Sequence, residues 1–339
     1  MEQGISLMTK SDSPMHEISF LTQEIKKALK EIVTVKEPQR LYEPIEYTLN
    51  QGGKRLRPLL ALISCEMFSG AYSDALYPAI ALEMFHNFTL IHDDIMDDAP
   101  VRRGQPTVYR KWNQNIAILS GDALFASAFQ TSMRTNTPNI KETLDLLCQT
   151  AIEVCEGQQY DMDFETQEDV SIKEYIRMIK LKTAVLVAAS LKTGAIIAGA
   201  PKEQADLLYN YGINIGLAFQ LKDDWLDVFS DEVKFGKVNG NDIVTNKKTF
   251  LYLKAFEIAN GGYLEELKKF FNPLTQHDSV NKVKEVTKIY RDLNISEIVE
   301  AEINNYYTQA IASLDAIDVP EERKIFLREF AEKLRSRDH

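Results

Sequence analysis

Glycine is scarce in this chain, at 15 of 339 residues. The alternation of polar and apolar residues that marks strands is almost absent. Together these gaps argue against a β-architecture, which needs repeated short alternating runs and frequent turns. Cysteine is scarcer still: Cys65, Cys148 and Cys155 show no paired metal or redox spacing. An odd, sparse set fits a reducing compartment. Positive charge is in deficit, with 39 Lys and Arg against 50 Asp and Glu, a net charge of −11. That excludes nucleic acid as a partner of the surface as a whole, while leaving room for a local basic pocket that takes a small anion. The opening MEQGISLMTKSDSPM lacks the basic-then-apolar layout of a signal peptide. Long apolar runs are missing too. Thr183 to Ala200 comes nearest, but Lys192 interrupts it and small residues dominate, so it reads as a buried helix and no transmembrane segment is expected. A cytoplasmic protein is the expectation.

What is present is helical periodicity. SFLTQEIKKALKEI (Ser19 to Ile32) repeats apolar residues at three and four. RPLLALISCEMF (Arg57 to Phe68) places Pro58 just inside its start, where the missing N–H costs little. Ser73 to Asp98 reads as one long helix that Pro78 starts or interrupts and Pro100 stops. Asn115 to Arg134, Ile140 to Phe164, Ile172 to Ala198 and Lys202 to Phe229 are further long segments, several apolar on most faces and therefore central. The polar connector Ser230 to Lys248, with Gly236 and Gly240, reads as a mobile loop. Shorter amphipathic helices follow around Phe250 to Ile258, Gly262 to Phe271, Val280 to Leu293, Ser296 to Asp315 and Glu321 to Arg335. No repeat or linker divides the chain. The expected fold is all-α: residues 1–15 a flexible tail, and 16–339 one domain built of long helices.

Within that pattern, residues 92–98 read HDDIMDD. Asp93 and Asp97, spaced four apart, share one helix face about 6 Å apart along the axis, and Asp94 sits at its edge, rotated by about 100°. Carboxylates are unfavourable at a helix C-terminus, where the macrodipole is already negative. Alone, the cluster reads as a solvated helix end. FQLKDDWLDVF repeats the DDxxD spacing with Asp223, Asp224 and Asp227, embedded in apolar neighbours that a solvated face does not carry. Two such clusters suggest carboxylates neutralised by hard cations across a cavity. Mg²⁺ is usually held by one or two carboxylates plus substrate phosphates, so the pattern describes half of a metal–diphosphate site.

Basic residues supply the other half. GGKRLRP carries Lys54, Arg55 and Arg57 at a helix start, where glycines admit close backbone approach and the dipole favours an anion. It lacks the spacing of a P-loop. VRRG carries Arg102 and Arg103, whose forked guanidinium groups match phosphate oxygens. KLKTA carries Lys182 and Thr183 inside an apolar helix. Each group alone reads equally as ordinary surface charge; their joint placement beside glycine or apolar sequence favours a site. His86 lies two turns before Asp93 on about the same face, and His92 has no comparable support.

HDDIMDD with RRG, FQLKDDWLD, GGKRLRP and KT resembles the motif set of the trans-isoprenyl diphosphate synthases (polyprenyl synthetases), in the expected order from about Ile18 to Arg335. The resemblance implies an all-α bundle around a deep central cavity, a homodimer, and joining of isopentenyl diphosphate to an allylic diphosphate by Mg²⁺-assisted ionisation. It implies three Mg²⁺ ions, two on Asp93, Asp97 and Asp94 and the third on Asp223, with Asp224 and Asp227 nearby. Arg102, Lys182, Thr183, Gln220 and Lys237 would contact the allylic diphosphate; Lys54, Arg57, His86 and Arg103 would bind isopentenyl diphosphate. The loop Ser230 to Lys248 is the candidate lid. No protein nucleophile is required.

In that family the residue five before the first DDxxD limits product length. Here it is Phe88, followed by Thr89. A large ring and a motif without insertion resemble C20 synthases, with C15 close. Helix geometry gives partial support: Phe88 lies ~7.5 Å from Asp93 along the axis but roughly 140° out of phase, so Phe85 is an alternative floor. The chain departs from the pattern in FGKVNGNDIVTNKKTF, where Lys247 and Lys248 are doubled. The role of Arg335 or Arg337 in the basic tail stays open. Two other readings are a Mg²⁺-dependent terpene cyclase and a non-catalytic subunit of a heteromeric prenyl synthase.

Overall fold

The structure is a computed structural model that describes residues 15–32, 36–68, 70–230, 240–275 and 277–336. Its helices are α1 (Ile18–Ile32), α2 (Gln39–Asn50), α3 (Leu56–Met67), α4 (Tyr72–Met96), α5 (Val108–Lys111), α6 (Gln114–Ser132), α7 (Ile140–Thr166) and α8 (Ile172–Ile179). A π-helical turn (Lys180–Ala184) leads into α9 (Val185–Ala198), and α10 (Lys202–Phe229) follows. Then come α11 (Asn241–Val244), α12 (Phe250–Ile258), α13 (Gly261–Phe270), α14 (Ser279–Asp292), α15 (Ile295–Asp315), a 3₁₀ turn (Glu321–Arg323) and α16 (Ile325–Arg335). A two-residue hairpin, β1 (Val101–Arg102) with β2 (Gln105–Pro106), provides the strands among the described residues. The fold is all-α, and the helix positions agree with the periodicity to within a few residues. Four features leave no mark in that periodicity: α2, α5, the hairpin, and the π-turn that divides Ile172 to Ala198.

The chain divides into two compact units. The first takes the chain to Gln149 with Ala189–Tyr209 and Asp318–Arg323; the second takes Thr150–Ala188, Asn210–Ile317 and the chain from Lys324.

In the first unit α4 is central. It packs against α3 and α6, and α2 rests on α6. Helix α4 has apolar residues all round, as a core helix requires: Ala79, Ile80, Ala81, Leu82, Met84 and Phe85 are all buried. Pro78 sits inside α4 without ending it; it lies near the start, where little helix precedes it to lose a bond. Gly194 of α9 permits close approach to α3, since a Cβ there would lie 2.0 Å from the Ala61 carbonyl oxygen.

In the second unit the core gathers Leu217, Leu221 and Val228 of α10 with Tyr175 and Ile179 of α8. It extends to Phe250 and Leu251 of α12, Val286 and Tyr290 of α14, and Val299 of α15. Ser171 begins α8 with a capping box: its side chain accepts from the Glu174 N–H while Glu174 accepts from the Ser171 N–H. Ile172–Ala198 is long and apolar enough to cross a membrane, but its most apolar window is 72% buried within the protein, as in a core helix.

Candidate active site

In the first unit, α4 ends at Met96 and Asp97 is its C-cap. The Asp97 N–H still donates to the Asp93 carbonyl at 2.8 Å, so the four-residue stacking of the pair survives the helix end. Asp93 is half-buried and Asp97 exposed. Asp94 turns inward instead: it is 4% exposed and accepts from Arg102 Nε at 2.7 Å. Burial raises the Asp94 carboxyl above its usual range, against the pull of Arg102. Asp98 is tied to Arg110 and the Tyr109 hydroxyl, outside the cluster.

The two arginines diverge because the hairpin turns between them. Arg103 and Gly104 both have positive φ, 53° and 74°, the pattern of a tight two-residue hairpin loop. Arg102 faces Asp94, while Arg103 donates from Nη1 to the Gly52 carbonyl at 2.5 Å. Its guanidinium lies against Gly53, where a Cβ would come within 3.1 Å. Gly52 and Gly53, at φ 81° and 122°, therefore serve both as a left-handed turn and as a bed for Arg103.

Arg55 continues that turn at φ 47° and caps α3. It is buried, unlike its neighbour Lys54, which is exposed. Its Nη1 meets Glu83 Oε1 at 2.5 Å, and Nη2 donates to the Leu49 carbonyl. Arg57 Nε is buried without a hydrogen-bond partner. Burial, reinforced by Arg103 and opposed by Glu83, brings its guanidinium down to about 10. His86 is held well below its usual range, first by burial and then by Arg57, Arg103, Arg102 and Arg55. It is thus a neutral imidazole beside four arginines, able to donate a hydrogen bond without adding a charge. Sequence reasoning missed Glu83, a carboxylate buried to 3% in a helix of apolar residues; that mismatch was the available signal.

Towards the N-terminus of α4, Phe85 is fully buried while Phe88 and Thr89 are half-buried. Thr89 turns its hydroxyl back to the His86 carbonyl at 2.8 Å. Phe88 is thus the ring of this pair that keeps an open face.

In the second unit, Asp224 is 4% exposed and accepts from the Tyr175 hydroxyl and from Gln220 Nε2 at 3.2 Å. Burial, then the nearby Asp242, pushes its carboxyl up to about 7. Asp223 and Asp227 are half-buried. Asp227 Oδ2 accepts from the Asp242 N–H at 2.9 Å, and its carbonyl accepts from Gly240 at 2.6 Å. Asp242 itself rises to about 6, through burial and the charges of Asp227, Asp161 and Asp223. Lys247 pulls both Asp224 and Asp242 back down. The doubled lysines therefore diverge: Lys247 acts on the acidic group, and Lys248 donates to the Phe164 carbonyl at 2.6 Å.

Lys182 and Thr183 lie in the π-helical turn, a widening often found at functional sites. Lys182 Nζ meets Asp161 Oδ2 at 2.5 Å, and Thr183 donates to Gln220 Oε1 at 3.2 Å. Two glycines make room for the turn. A Cβ on Gly157 of α7 would lie 2.2 Å from Lys182 N, and one on Gly216 of α10 2.5 Å from Ala184 Cα. Asp161 and Asp242 belong to this cluster, and neither stands out from sequence. Lys237, with the rest of 231–239, lies outside the described residues, as does Arg337. Arg335 is held by Asn304 and Tyr307 of α15.

Among the described residues no three His, Cys, Asp or Glu side chains are gathered into a metal cage. The half-buried or exposed positions, Asp93 and Asp97 on one motif and Asp223 and Asp227 on the other, offer oxygen alone. That donor set suits Mg²⁺ shared with phosphate oxygens.

The Polyprenyl synthetase family profile matches residues 38–291. A geranylgeranyl diphosphate synthase of Methanosarcina mazei is 40% identical over 294 residues, covering 84% of this chain and 90% of the relative. A geranylfarnesyl diphosphate synthase of Natronomonas pharaonis is 40% identical over 266 residues, covering 73% and 78%. Among solved structures, a geranylgeranyl pyrophosphate synthase superposes with a TM-score of 0.90 at 44% identity, covering 95% of this chain and 99% of that one. The corresponding enzyme from Pyrococcus horikoshii gives 0.88 at 35%, with 94% and 97% covered. The helical fold and its two aspartate-rich motifs are those of a prenyltransferase. The chain belongs to the polyprenyl synthetase family.

Proposed function

We propose that this prenyltransferase joins isopentenyl diphosphate head-to-tail to an allylic diphosphate, giving a short-chain prenyl diphosphate, with C20 the favoured length. The observation that carries this reading is the first unit's polar group. A neutral His86 and the arginines 55, 57, 102 and 103 lie near a half-buried Asp93 and an exposed Asp97. Such a group gives a diphosphate both fixed cations and an oxygen-only metal face.

Asp93 and Asp97, with Asp94, would hold two Mg²⁺ and Asp223, with Asp224 and Asp227, a third. Bound Mg²⁺ offsets the charge that grows on a departing diphosphate. Arg102, Lys182, Thr183, Gln220 and Lys237 bind and orient the allylic diphosphate in this reading. Lys54, Arg57, His86 and Arg103 hold isopentenyl diphosphate, with His86 donating as a neutral group. The allylic C–O bond breaks with its electron pair passing to diphosphate. The isopentenyl double bond then forms the new C–C bond, and the proton it loses passes to the released diphosphate. Fixed donors aimed at the leaving group stabilise the transition state, and holding both substrates in register supplies proximity. Water would quench the cation, so closure matters; the segment Ser230 to Lys248 is the lid in this reading.

Both DDxxD motifs serve one reaction, and the family match, which runs through segments of both units, supports reading residues 16–339 as one catalytic domain. Ile118 and Leu119 of α6, 38% and 59% exposed, support a homodimer. All three cysteines are free, which supports the cytoplasm. Purified protein with Mg²⁺, isopentenyl diphosphate and each allylic primer in turn, with product length read by mass, tests the reading. No incorporation of isopentenyl diphosphate would overturn it and favour a cyclase or a non-catalytic subunit.

A further inference from the structure

Phe88 does not stand alone on α4. Its ring centroid lies 5.0 Å from that of Phe125 on α6, 4.8 Å from His92 and 5.6 Å from Phe85. Phe125 is the ring that joins the set. It also contacts Phe85 at 6.1 Å and Phe129, one turn further along α6, at 5.0 Å. The contacts are tilted or edge-on, which ring quadrupoles favour over a face-to-face sandwich. Phe85 is fully buried and fixed, while Phe88, Phe125 and Phe129 are half-buried. The first is foundation and the other three present a surface.

The other side of Phe88 is also held. His92 meets it edge-on, and His92 Nε2 lies 3.2 Å from the Ile118 carbonyl oxygen of α6. Gly121 makes room for that imidazole: a Cβ there would lie 2.2 Å from His92 Nε2. Phe88 is therefore gripped between Phe125 on α6 and an imidazole anchored to the same helix. A side chain so confined keeps its rotamer, because leaving it forfeits contacts on both sides.

We propose that Phe125 is a second determinant of product length, acting beside Phe88 as part of one wall contributed by α6. The inference rests on the prenyl-synthase reading above. Removing the Phe125 ring opens space next to Phe88 and frees Phe88 to rotate into it, so the growing chain is arrested later. Enlarging the ring at 125 presses on Phe88 and arrests it sooner.

The test compares the wild type, Phe125→Ala, Phe125→Leu, Phe125→Trp, Phe88→Ala and the Phe88→Ala/Phe125→Ala double variant. Each receives isopentenyl diphosphate, an allylic primer and Mg²⁺, and products are read by mass at matched turnover. The expected result is a main product from Phe125→Ala longer than wild type by at least one five-carbon unit, with Phe125→Leu between them and Phe125→Trp shifted shorter. The double variant should differ from the sum of the single shifts, because the two rings touch. A Phe125→Ala distribution equal to wild type overturns the proposal. If that variant fails to fold, as judged by circular dichroism, Phe125→Leu carries the test, and an unchanged distribution there overturns it equally. A wild type that incorporates no isopentenyl diphosphate overturns the underlying functional reading instead, so the two failures are told apart.

Discussion

Arg55 and Glu83 form an ion pair, Nη1 to Oε1 at 2.5 Å, with side chains only 6% and 3% exposed. The pair fixes a left-handed residue at the start of α3 to the middle of α4. Removing one member of a buried pair strands the other charge, which costs about 3–5 kcal/mol. Glu83→Ala should therefore lower the thermal midpoint sharply, and Glu83→Gln less. An apolar double replacement, Arg55→Met with Glu83→Leu, should recover part of the loss. Calorimetry decides: a Glu83→Ala midpoint equal to wild type would show that the pair does not support the fold.

Lys182 is oriented by Asp161 across 2.5 Å. Asp161→Asn keeps the shape and removes the charge. A hydrogen bond to a charged group is worth about 1.5–3 kcal/mol. The expected loss is about ten- to one-hundredfold in kcat/KM for the allylic substrate. Unchanged steady-state kinetics would show that Lys182 needs no such support.

Gly157 lets α7 approach the π-turn, and its would-be Cβ meets backbone at 2.2 Å, which cannot swing aside. Gly157→Ala should destabilise by about 1–3 kcal/mol through overpacking and reduce activity by displacing Lys182 and Thr183. Gly262 has nothing within 4 Å of its Cβ position, so Gly262→Ala should fold normally. Equal melting of the two variants would refute the contrast.

His86 carries a pH signature. Its pKa is lowered in the folded protein by burial and by Arg57, Arg103, Arg102 and Arg55. On unfolding it returns to about 6.5. A depressed pKa contributes stability that is present above the unfolded value and is lost as pH falls, because the unfolded chain then takes up a proton that the folded one refuses. Wild type should lose more stability than His86→Gln on acidification from pH about 7.5 to about 5.5, a window that spans the unfolded value. Parallel melting curves across that window would contradict a neutral, buried His86.

Phe88 presents the open face in the ring set of the first unit, above a fully buried Phe85. Phe88→Ala should lengthen the product by at least one five-carbon unit. Chromatography of the dephosphorylated products checks this, and an unchanged chain length would remove Phe88 from the role.

Much of the helical frame was legible because burial imposes a 3.6-residue period on any helix with a core-facing side. Lys202 to Phe229 matches its helix end for end. The π-turn was not legible, because a π-bulge keeps the apolar composition of the helix it interrupts; Gly157 and Gly216, which shape it, lie in other helices. The hairpin at Val101 to Pro106 was too short to show alternation. The aspartate motifs were legible because carboxylates crowded into an apolar setting are costly unless cations neutralise them. Their internal division of labour was not. Asp94 and Asp224 look equivalent to their neighbours in sequence, yet Arg102 claims the first and Tyr175 the second.

The sequence alone determined that the protein is helical, that two acidic motifs and three basic groups exist, and in what order they occur, since periodicity and charge are local properties of a chain. Tertiary structure decided which carboxylates turn inward and which stay towards solvent, that His86 is neutral, that Asp161 and Glu83 are needed, and that Phe88 is held by rings from α6. Each of these depends on pairs far apart in the chain, as Tyr175 and Asp224 are. Burial and proximity, which set such energies, come into being only when the chain folds.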